Sequence, residues 1–81
     1  LVEKINDSEF LIFARLDVVV INKNFNLNLP ESDEYETIAG LVLHFLENIP
    51  EVSDIIELED YKITIKEVDD RSVIKVHLLV R

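Results

Sequence analysis

The chain has 81 residues, a formal net charge of -9 and no cysteine. Its length allows one domain, and the lack of thiols excludes a disulfide scaffold and cysteine-based zinc sites. Since 17 acidic residues oppose 8 basic residues scattered from Lys4 to Arg81, we expect no nucleic-acid partner. The longest nearly apolar run, Ile38 to Leu46, is too short to insert into a bilayer. The sequence has no Met, even at position 1, so we expect a piece of a longer protein.

The first third of the chain predicts a lead-in, a strand and one ambiguous segment. Residues 1–8 mix charged and small polar side chains and are expected to form an extended lead-in or linker. Residues 9–15 are rich in Phe and Ile without a helical period, which predicts a mostly buried strand. In residues 16–26, the β-branched run from Val18 to Ile21 favours a strand. Asp17 as an N-cap, followed by apolar residues four apart, favours a short helix instead, and the residues alone leave both alternatives open.

A polar segment with four acids between Glu31 and Glu36 precedes the clearest helix. Residues 26–34 carry Pro30 and predict a loop. The acids could offer oxygen ligands to Mg²⁺ or Ca²⁺, but the spacing and the glycine of a calcium loop are absent. Acids before a helix are also explained by the positive end of its dipole. We expect no metal site; the side chains that would form one are Glu31, Asp33, Glu34 and Glu36.

The central helix is predicted from its apolar stripe. Apolar residues recur at the spacing of one helical face from Ile38 to Ile49, and Pro50 is expected to end the helix. Gly40 lies inside it, where glycine costs about 1 kcal/mol relative to alanine. We therefore expect a strand or another helix to approach closely at Gly40. The stripe consists of Ile38, Leu41, Val42, Phe45, Leu46 and Ile49.

The C-terminal part alternates as strands do. Ile55–Glu59 and residues 61–65 predict strands with one solvated face, and Asp69–Asp70 predicts a turn. Val73–Val80 is apolar on both faces except at a lysine and a histidine. Such a strand is central in a sheet or covered by a partner, and it is a candidate contact edge. A strand, one or two helices and a three-stranded antiparallel run make an α+β domain, with one mixed or antiparallel sheet and helices on one face.

No catalytic or cofactor motif is visible. His44 and His77 are the available bases, but no hydroxyl stands in a nucleophile elbow, and a single glycine leaves no oxyanion loop. A glycine-rich phosphate loop is also absent. We therefore expect neither an enzyme nor a cofactor. The remaining interpretation is that the chain is an acidic interaction module. The hydroxyls considered are those of Ser8, Ser32, Ser53, Ser72, Thr37 and Thr64.

The chain resembles a known family over residues 9–80. Residues 34–42, EYETIAGLV, look like the Y-x-T-(L/I)-(A/G)-G-(L/F) start of the main helix in the transporter-associated domain. This is the C-terminal domain of the CorC/haemolysin C family of magnesium and cobalt efflux proteins. Residues 45–50, FLENIP, match the end of that helix, residues 10–22 resemble the strand and helix that end in Asn, and residues 27–30 resemble the L-x-L-P loop. The later strand pattern is similar at Tyr61, Ile63, Ile65, Val68, Arg71 and Ile74.

The resemblance implies a fold and a set of motif positions. Residues 17–25 would form a short helix, and the transporter-associated domain would occupy residues 9–81. The fold would be similar to half of a flavin-binding domain, although no flavin is expected. Ala14 and Ser53 stand where the family commonly has glycine, which permits positive φ. The motif positions are Asn22, Pro30, Tyr35, Thr37, Gly40, Pro50 and Asp54.

The resemblance also implies a function. The domain would be a non-catalytic regulatory or interaction module at the C-terminus of a CorC-like efflux protein for magnesium or cobalt. Its partners would be a pair of CBS domains and a membrane domain of the same polypeptide, or a second copy in a homodimer. It would be a cytoplasmic domain of a membrane-associated bacterial protein. The alternative is a small-ligand or divalent-cation sensor that uses the acidic segment 31–36.

Overall fold

Five strands and two short helices make up the described part of the chain. A computed structural model describes residues 1–70 and 72–81, so Arg71 of the family pattern lies outside the described residues. No helix in the described part combines the length and the apolar character that crossing a bilayer requires. The elements are β1 (Val2–Asn6), β2 (Glu9–Phe13), α1 (Val18–Phe25), α2 (Ile38–Phe45), β3 (Ile55–Glu57), β4 (Tyr61–Val68) and β5 (Val73–Val80).

The strands form one antiparallel sheet in the order β1-β2-β5-β4-β3. This confirms the α+β class, and it confirms that the apolar strand Val73–Val80 is central. The expectation of a contact edge at this strand is wrong, because β5 is paired on one side with β2 and on the other with β4. The outer edges of the sheet belong to β1 and β3.

Residues 1–8 contain a strand rather than an unpaired lead-in. Val2–Asn6 pairs antiparallel with β2, and the Ser8 N–H donates to Asn6 Oδ1 at 2.8 Å in the connecting turn. The expectation of a linker is therefore wrong for these residues. Most side chains of β1 are exposed, because the strand lies at the margin of the sheet. The apolar alternation that predicts a strand is missing for the same reason.

Helix α1 confirms the short helix that the resemblance implies. Asp17 is the N-cap in extended backbone, with φ -74° and ψ 138°, although its side chain makes no capping hydrogen bond. Val18 and Ile21 are buried, while Val19 and Val20 between them are exposed. The helical period therefore decides which β-branched side chains reach the core, and burial outweighs their preference for strands.

Helix α2 is shorter than predicted. It ends at Phe45, and Leu46 follows in extended backbone with φ -94° and ψ 126°. The prediction of a helix reaching Pro50 is wrong. Leu46 packs against the core, whereas Ile49 is 81% exposed. Because Ile49 finds no core to cover it, a longer helix would bury no further apolar surface, and tertiary packing is what sustains short helices.

Both helices pack against the same face of the sheet. One cluster of buried side chains joins alternate residues of β2, β4 and β5 to the inward faces of α1 and α2. Burial of this cluster is the main favourable term in folding. Its large fully buried members are Ile12, Ile21, Leu29, Ile38, Leu41, Ile63, Ile65, Leu78, Val18, Val42 and Val76.

No helix of residues 1–70 or 72–81 lies on the opposite face of the sheet, and we call it the open face. Successive side chains of a strand point to opposite faces, and residues paired in register share a face. The register therefore places three rows of side chains on the open face. These rows are Glu9-Leu79-Lys62-Glu57, Glu3-Leu11-His77-Thr64-Ile55 and Phe13-Lys75-Glu67.

Candidate functional site

The loop between the two helices is held by one buried amide. Asn22 on α1 is 8% exposed. Its Nδ2 donates to the Leu29 carbonyl and to Glu31 Oε2, both at 2.9 Å, and its Oδ1 accepts the Leu29 N–H at 2.8 Å. Both backbone groups of the buried Leu29 are thereby satisfied. Asn22 clamps the L-x-L-P segment against α1.

Two tyrosine hydroxyls hold the same loop. Tyr35 Oη donates to the Pro30 carbonyl at 2.6 Å, and the Asn28 N–H donates to Tyr61 Oη at 2.6 Å. Burial raises the pKa of the Tyr35 hydroxyl, and the negative charge of Glu31 acts in the same direction. Both effects favour the neutral hydroxyl, which is the form that can donate to Pro30.

Thr37 and Gly40 fix the start of α2. Thr37 is the N-cap, and its Oγ1 accepts the Gly40 N–H at 3.1 Å; no acidic residue lies in the first turn. A Cβ at Gly40 would lie 2.8 Å from the Cβ of Tyr35. The close approach predicted at Gly40 is confirmed, but the group that approaches belongs to the preceding loop rather than to a strand or another helix.

The turn before β3 contains the remaining motif residues. Pro50 leads into this turn, and the Asp54 side chain accepts the Glu51 N–H at 2.9 Å. The Asp54 N–H donates back to the Glu51 carbonyl at 3.1 Å. Ser53 has φ 78°, the value for the third residue of a type II turn, which favours glycine. A position that the family commonly fills with glycine therefore keeps its left-handed backbone here.

Ala14, the other departure from the family pattern, behaves differently. It is fully buried and does not have positive φ, which within the described residues occurs at Asn26 and Ser53. Its N–H donates to the Ile74 carbonyl at 2.9 Å, and its carbonyl accepts the Ala39 N–H at 2.8 Å. Ala14 thus joins the end of β2 to both β5 and α2 in ordinary backbone.

The motif positions therefore fall into two groups. One group surrounds the loop between the helices, and the other shapes the turn before β3. Their hydrogen bonds are made with the chain itself, so these side chains determine the conformation of the two loops. The first group is Asn22, Pro30, Tyr35, Thr37 and Gly40, and the second is Pro50 and Asp54.

The four candidate metal ligands are not brought together. Glu31 is bonded to the clamp amide, and Glu34 Oε2 lies 3.4 Å from Nδ1 of His44. Asp33 and Glu36 are exposed. In the described part of the chain, no three His, Asp or Glu side chains converge so that they could hold a metal ion.

The two histidines lie on opposite sides of the sheet. His44 is in the last turn of α2 beside Glu34, whereas His77 is on the open face with its Nε2 2.8 Å from Glu9 Oε1. Hydrogen bonds from the Asn6 amide and from His77 hold the pKa of Glu9 below its usual value. Across residues 1–70 and 72–81, neither histidine bonds to a Ser or Thr hydroxyl, so no nucleophile–base pair is assembled there.

A groove with a volume of about 600 Å³ lies beside the clamped loop. Residues 28–31 form one wall, and Leu58–Tyr61 form another. Among the described residues, its charged lining side chains are Glu31, Glu59 and Asp60, and no base of this part of the chain lines it. Such a lining disfavours anionic ligands such as nucleotides.

The polar contacts of Tyr61 and Glu9 are not predicted from the sequence. Tyr61 shares the core face of β4 with Ile63 and Ile65, and a buried tyrosine needs a partner for its hydroxyl. That pattern could have predicted a polar contact, although not with Asn28. The contact between Glu9 and His77 joins residues 68 positions apart, and no local pattern predicts it.

The curated proteins of similar sequence include an efflux protein and an inner membrane protein. The magnesium and cobalt efflux protein CorC of Buchnera aphidicola (subspecies Acyrthosiphon pisum) is 32% identical over 79 residues, which cover 98% of this chain and 27% of that protein. The inner membrane protein YfjD of Escherichia coli K12 is 37% identical over 68 residues, which cover 84% of this chain and 16% of that protein. The chain thus spans only a small part of the curated relatives it matches.

Solved structures share the fold over almost their whole length. A conserved protein of unknown function from Haemophilus influenzae has a TM-score of 0.88 and 28% identity, covering 100% of this chain and 99% of that one. A transporter-associated domain from a CBS domain protein of Porphyromonas gingivalis has a TM-score of 0.83 and 21% identity, covering 98% and 95%. A Xylella fastidiosa haemolysin domain, solved with Mg²⁺ and Mn²⁺, has a TM-score of 0.83 and 22% identity, covering 100% and 98%.

The sequence matches the family described as the transporter associated domain over residues 3–81. The match covers β1 from its second residue onward and extends beyond the region in which the sequence motifs lie. With the matching fold and relatives, this result shows that the chain belongs to the CorC/HlyC family of transporter-associated domains.

Proposed function

We propose that this domain is a non-catalytic regulatory module of a larger ion efflux protein, with magnesium or cobalt as the transported ion. The match of residues 3–81 to the transporter-associated family carries the proposal. Its relatives include a magnesium and cobalt efflux protein and an inner membrane protein, which support the ion and the membrane setting. The domain would lie on the cytoplasmic side and share its polypeptide with CBS domains, since the Porphyromonas relative comes from a CBS domain protein.

The placement of the polar side chains supports a non-catalytic role. The motif residues are engaged in holding two loops, and each histidine is paired with a glutamate on a different side of the sheet. Catalysis by a hydroxyl nucleophile needs a base within hydrogen-bond reach. The domain would therefore act by contact, either with the CBS pair or with its own copy.

Exposed apolar side chains support a role in contacts. Val19 on α1 is 56% exposed, Leu43 on α2 is 44% exposed, and Ile55 on β3 is 48% exposed. Scattered exposed apolar residues are ordinary, but a domain that rests on a neighbour gains stability by covering them. A small domain buries a modest fraction of its surface, so this gain is significant.

The test is ion efflux by the full-length parent protein in proteoliposomes. The intact protein is compared with a form that lacks this domain, at equal protein per vesicle, with internal Mg²⁺ or Co²⁺ followed by an indicator dye. A changed efflux rate on deletion is expected. Equal rates at equal protein density would refute the regulatory role, and Val20→Lys provides a folded control with one exposed side chain altered.

A divalent-cation sensor is the second candidate function. A Xylella fastidiosa relative was solved with Mg²⁺ and Mn²⁺, which motivates the test, although at 22% identity it shows the fold alone. The separate partners of Glu31 and Glu34 weigh against segment 31–36 acting as one site. Amide NMR during a Mg²⁺ titration distinguishes the two functions. Changes in amide chemical shift confined to residues 31–40 at millimolar Mg²⁺ would favour the sensor. Unchanged chemical shifts would exclude it.

A further inference from the structure

The open face differs in charge from the rest of the domain. Of the 17 acidic residues in the chain, four lie on the open face, namely Glu3, Glu9, Glu57 and Glu67. Three of these four are paired with bases, Glu67 with Lys75 at 3.8 Å, Glu57 with Arg81 and Glu9 with His77 at 2.8 Å. The other thirteen acids lie elsewhere, so two copies that met through those surfaces would repel each other.

Three apolar side chains lie around His77, which stands at the middle of the open face. Leu79 lies on the central strand β5, and Leu11 and Phe13 lie on the neighbouring strand β2. All three are half-buried, and none belongs to the group that packs against the core. Lys75 extends over the Phe13 ring with its Nζ 5.2 Å from the ring centre. Protein interfaces commonly bury apolar side chains of this kind beside paired charges.

One row of the open face is complementary to itself. Leu79 is flanked by Glu9 on β2 and by Lys62 on β4, at the same level of the sheet. Within the described residues, Lys62 has no ion-pair partner. A twofold axis parallel to β5 would place Leu79 opposite its own copy and Lys62 opposite the copy's Glu9, twice. The same axis also places Lys75 opposite its own copy, with Glu67 as its ion-pair partner at 3.8 Å. An axis across the strands would instead place β2 opposite its own copy, so that Lys62 would not meet Glu9.

We propose that the open face binds a second copy of this domain, by packing sheet against sheet about a twofold axis parallel to β5. This inference rests on the proposed function, in which the domain acts by contact. Aligned packing of two sheets about 10 Å apart has ample precedent in β-sandwiches. The hydrogen bonds that hold the pKa of Glu9 low keep its carboxylate negative, as the contact with Lys62 requires.

The size of the face predicts a weak dimer. Five strands spaced by about 4.8 Å give a width of about 24 Å, and strands of this length give a planar area of roughly 500 Å² per copy. The pair would bury about 1,000 Å², at the lower limit for specific interfaces. CBS domains on the same polypeptide would raise the effective concentration and make such a contact sufficient.

Sedimentation equilibrium and concentration-dependent amide NMR test the proposal. The chain should fold alone, because the solved relatives consist of this domain over 95–99% of their length. Over roughly 10 µM to 1 mM, where an interface of this size dissociates, the average mass should rise from monomer towards dimer. The shifts that change should lie in β2, β5 and β4. A strict monomer at 1 mM would overturn the proposal.

Matched variants identify the face. Leu79→Lys should weaken the association at least tenfold, while Val20→Lys, the same charge change on exposed α1, should not. Lys62→Glu should also weaken it, and adding Glu9→Lys should restore it, because opposite charges meet only between copies. Equal weakening by Leu79→Lys and Val20→Lys would overturn the proposal, as would a double variant that shows no recovery.

A separate binding experiment distinguishes failure of this proposal from failure of the proposed function. The isolated CBS pair of the parent protein is added to the labelled domain. A monomeric domain whose open-face signals shift on this addition would refute the second copy and leave the regulatory role standing. A domain that binds neither its copy nor the CBS pair would refute both.

Discussion

Ser53→Gly should stabilise the domain. Ser53 has φ 78°, and a side chain in the left-handed region costs about 1–2 kcal/mol. Glycine avoids this strain but loses about 0.4–1 kcal/mol more on folding, because its unfolded chain is freer. The balance is a gain of about 0.5–1 kcal/mol in the free energy of unfolding. For a domain of this size, that gain raises the Tm by roughly 2–8 °C.

The assay is thermal unfolding followed by circular dichroism, with urea denaturation as a second measure of stability. Ser53→Ala keeps the Cβ and the strain, so its Tm should stay near that of the parent sequence. Asn26→Gly provides a second control: Asn26 also has positive φ, but asparagine tolerates the left-handed helix cap well. Its gain should therefore be a few tenths of a kcal/mol. If Ser53→Gly were no more stable than Ser53→Ala, the strain assigned to this turn would be refuted.

Three further changes test the loop clamp, the helix contact and the open face. Asn22→Ala leaves the buried N–H and carbonyl of Leu29 unpaired and should lower the free energy of unfolding by about 2–4 kcal/mol; a loss below about 1 kcal/mol in urea would contradict the clamp. Gly40→Ala should destabilise by about 1 kcal/mol in the same assay, because overpacking against the Tyr35 Cβ, 2.8 Å away, outweighs the helical preference of alanine. A more stable variant would argue against that contact. Glu9 has a lowered pKa, so its carboxylate contributes stability near neutral pH, and this contribution is lost as the pH falls below its ordinary value of 4.5 and through the lower folded value. In thermal melts at several pH values, the Tm of Glu9→Gln should fall less on acidification than the Tm of the parent sequence. An equal fall in Tm for both proteins would count against the interaction.

The elements that could be predicted are those whose own side chains carry a burial pattern. The inner strands β4 and β5 alternate or are apolar throughout, and the start of α2 has both a cap and a stripe. Local sequence patterns do not predict the secondary structure where the burial of a side chain depends on a surface that is distant in sequence. The β-branched residues Val18–Ile21 are helical because only one side of them meets the core. The stripe of α2 extends to Ile49 in sequence, but the core beneath it ends sooner.

The resemblance names motif positions, but it does not say what their side chains do. Residues such as Asn22, Tyr35 and Gly40 were selected by resemblance, and the structure joins them around one loop. Sequence spacing cannot distinguish a side chain that holds a loop from one that holds a ligand. The sequence also does not predict which residues share the open face, because its rows combine residues from five strands that are far apart in the chain.

The central position of β5 has a consequence for synthesis of the domain on the ribosome. The strand is the last of the five in chain order, yet it alone connects the β1-β2 hairpin to the β3-β4 hairpin. Residues paired across β2 and β5, such as Glu9 and Leu79, are 70 positions apart, so their pairing closes a long loop and is slow to form. Until residues 73–80 have emerged, the nascent chain holds two isolated hairpins, neither of which is stable alone in water. Proteases and chaperones therefore encounter this domain unfolded until its translation is complete, after which the sheet closes in one cooperative step.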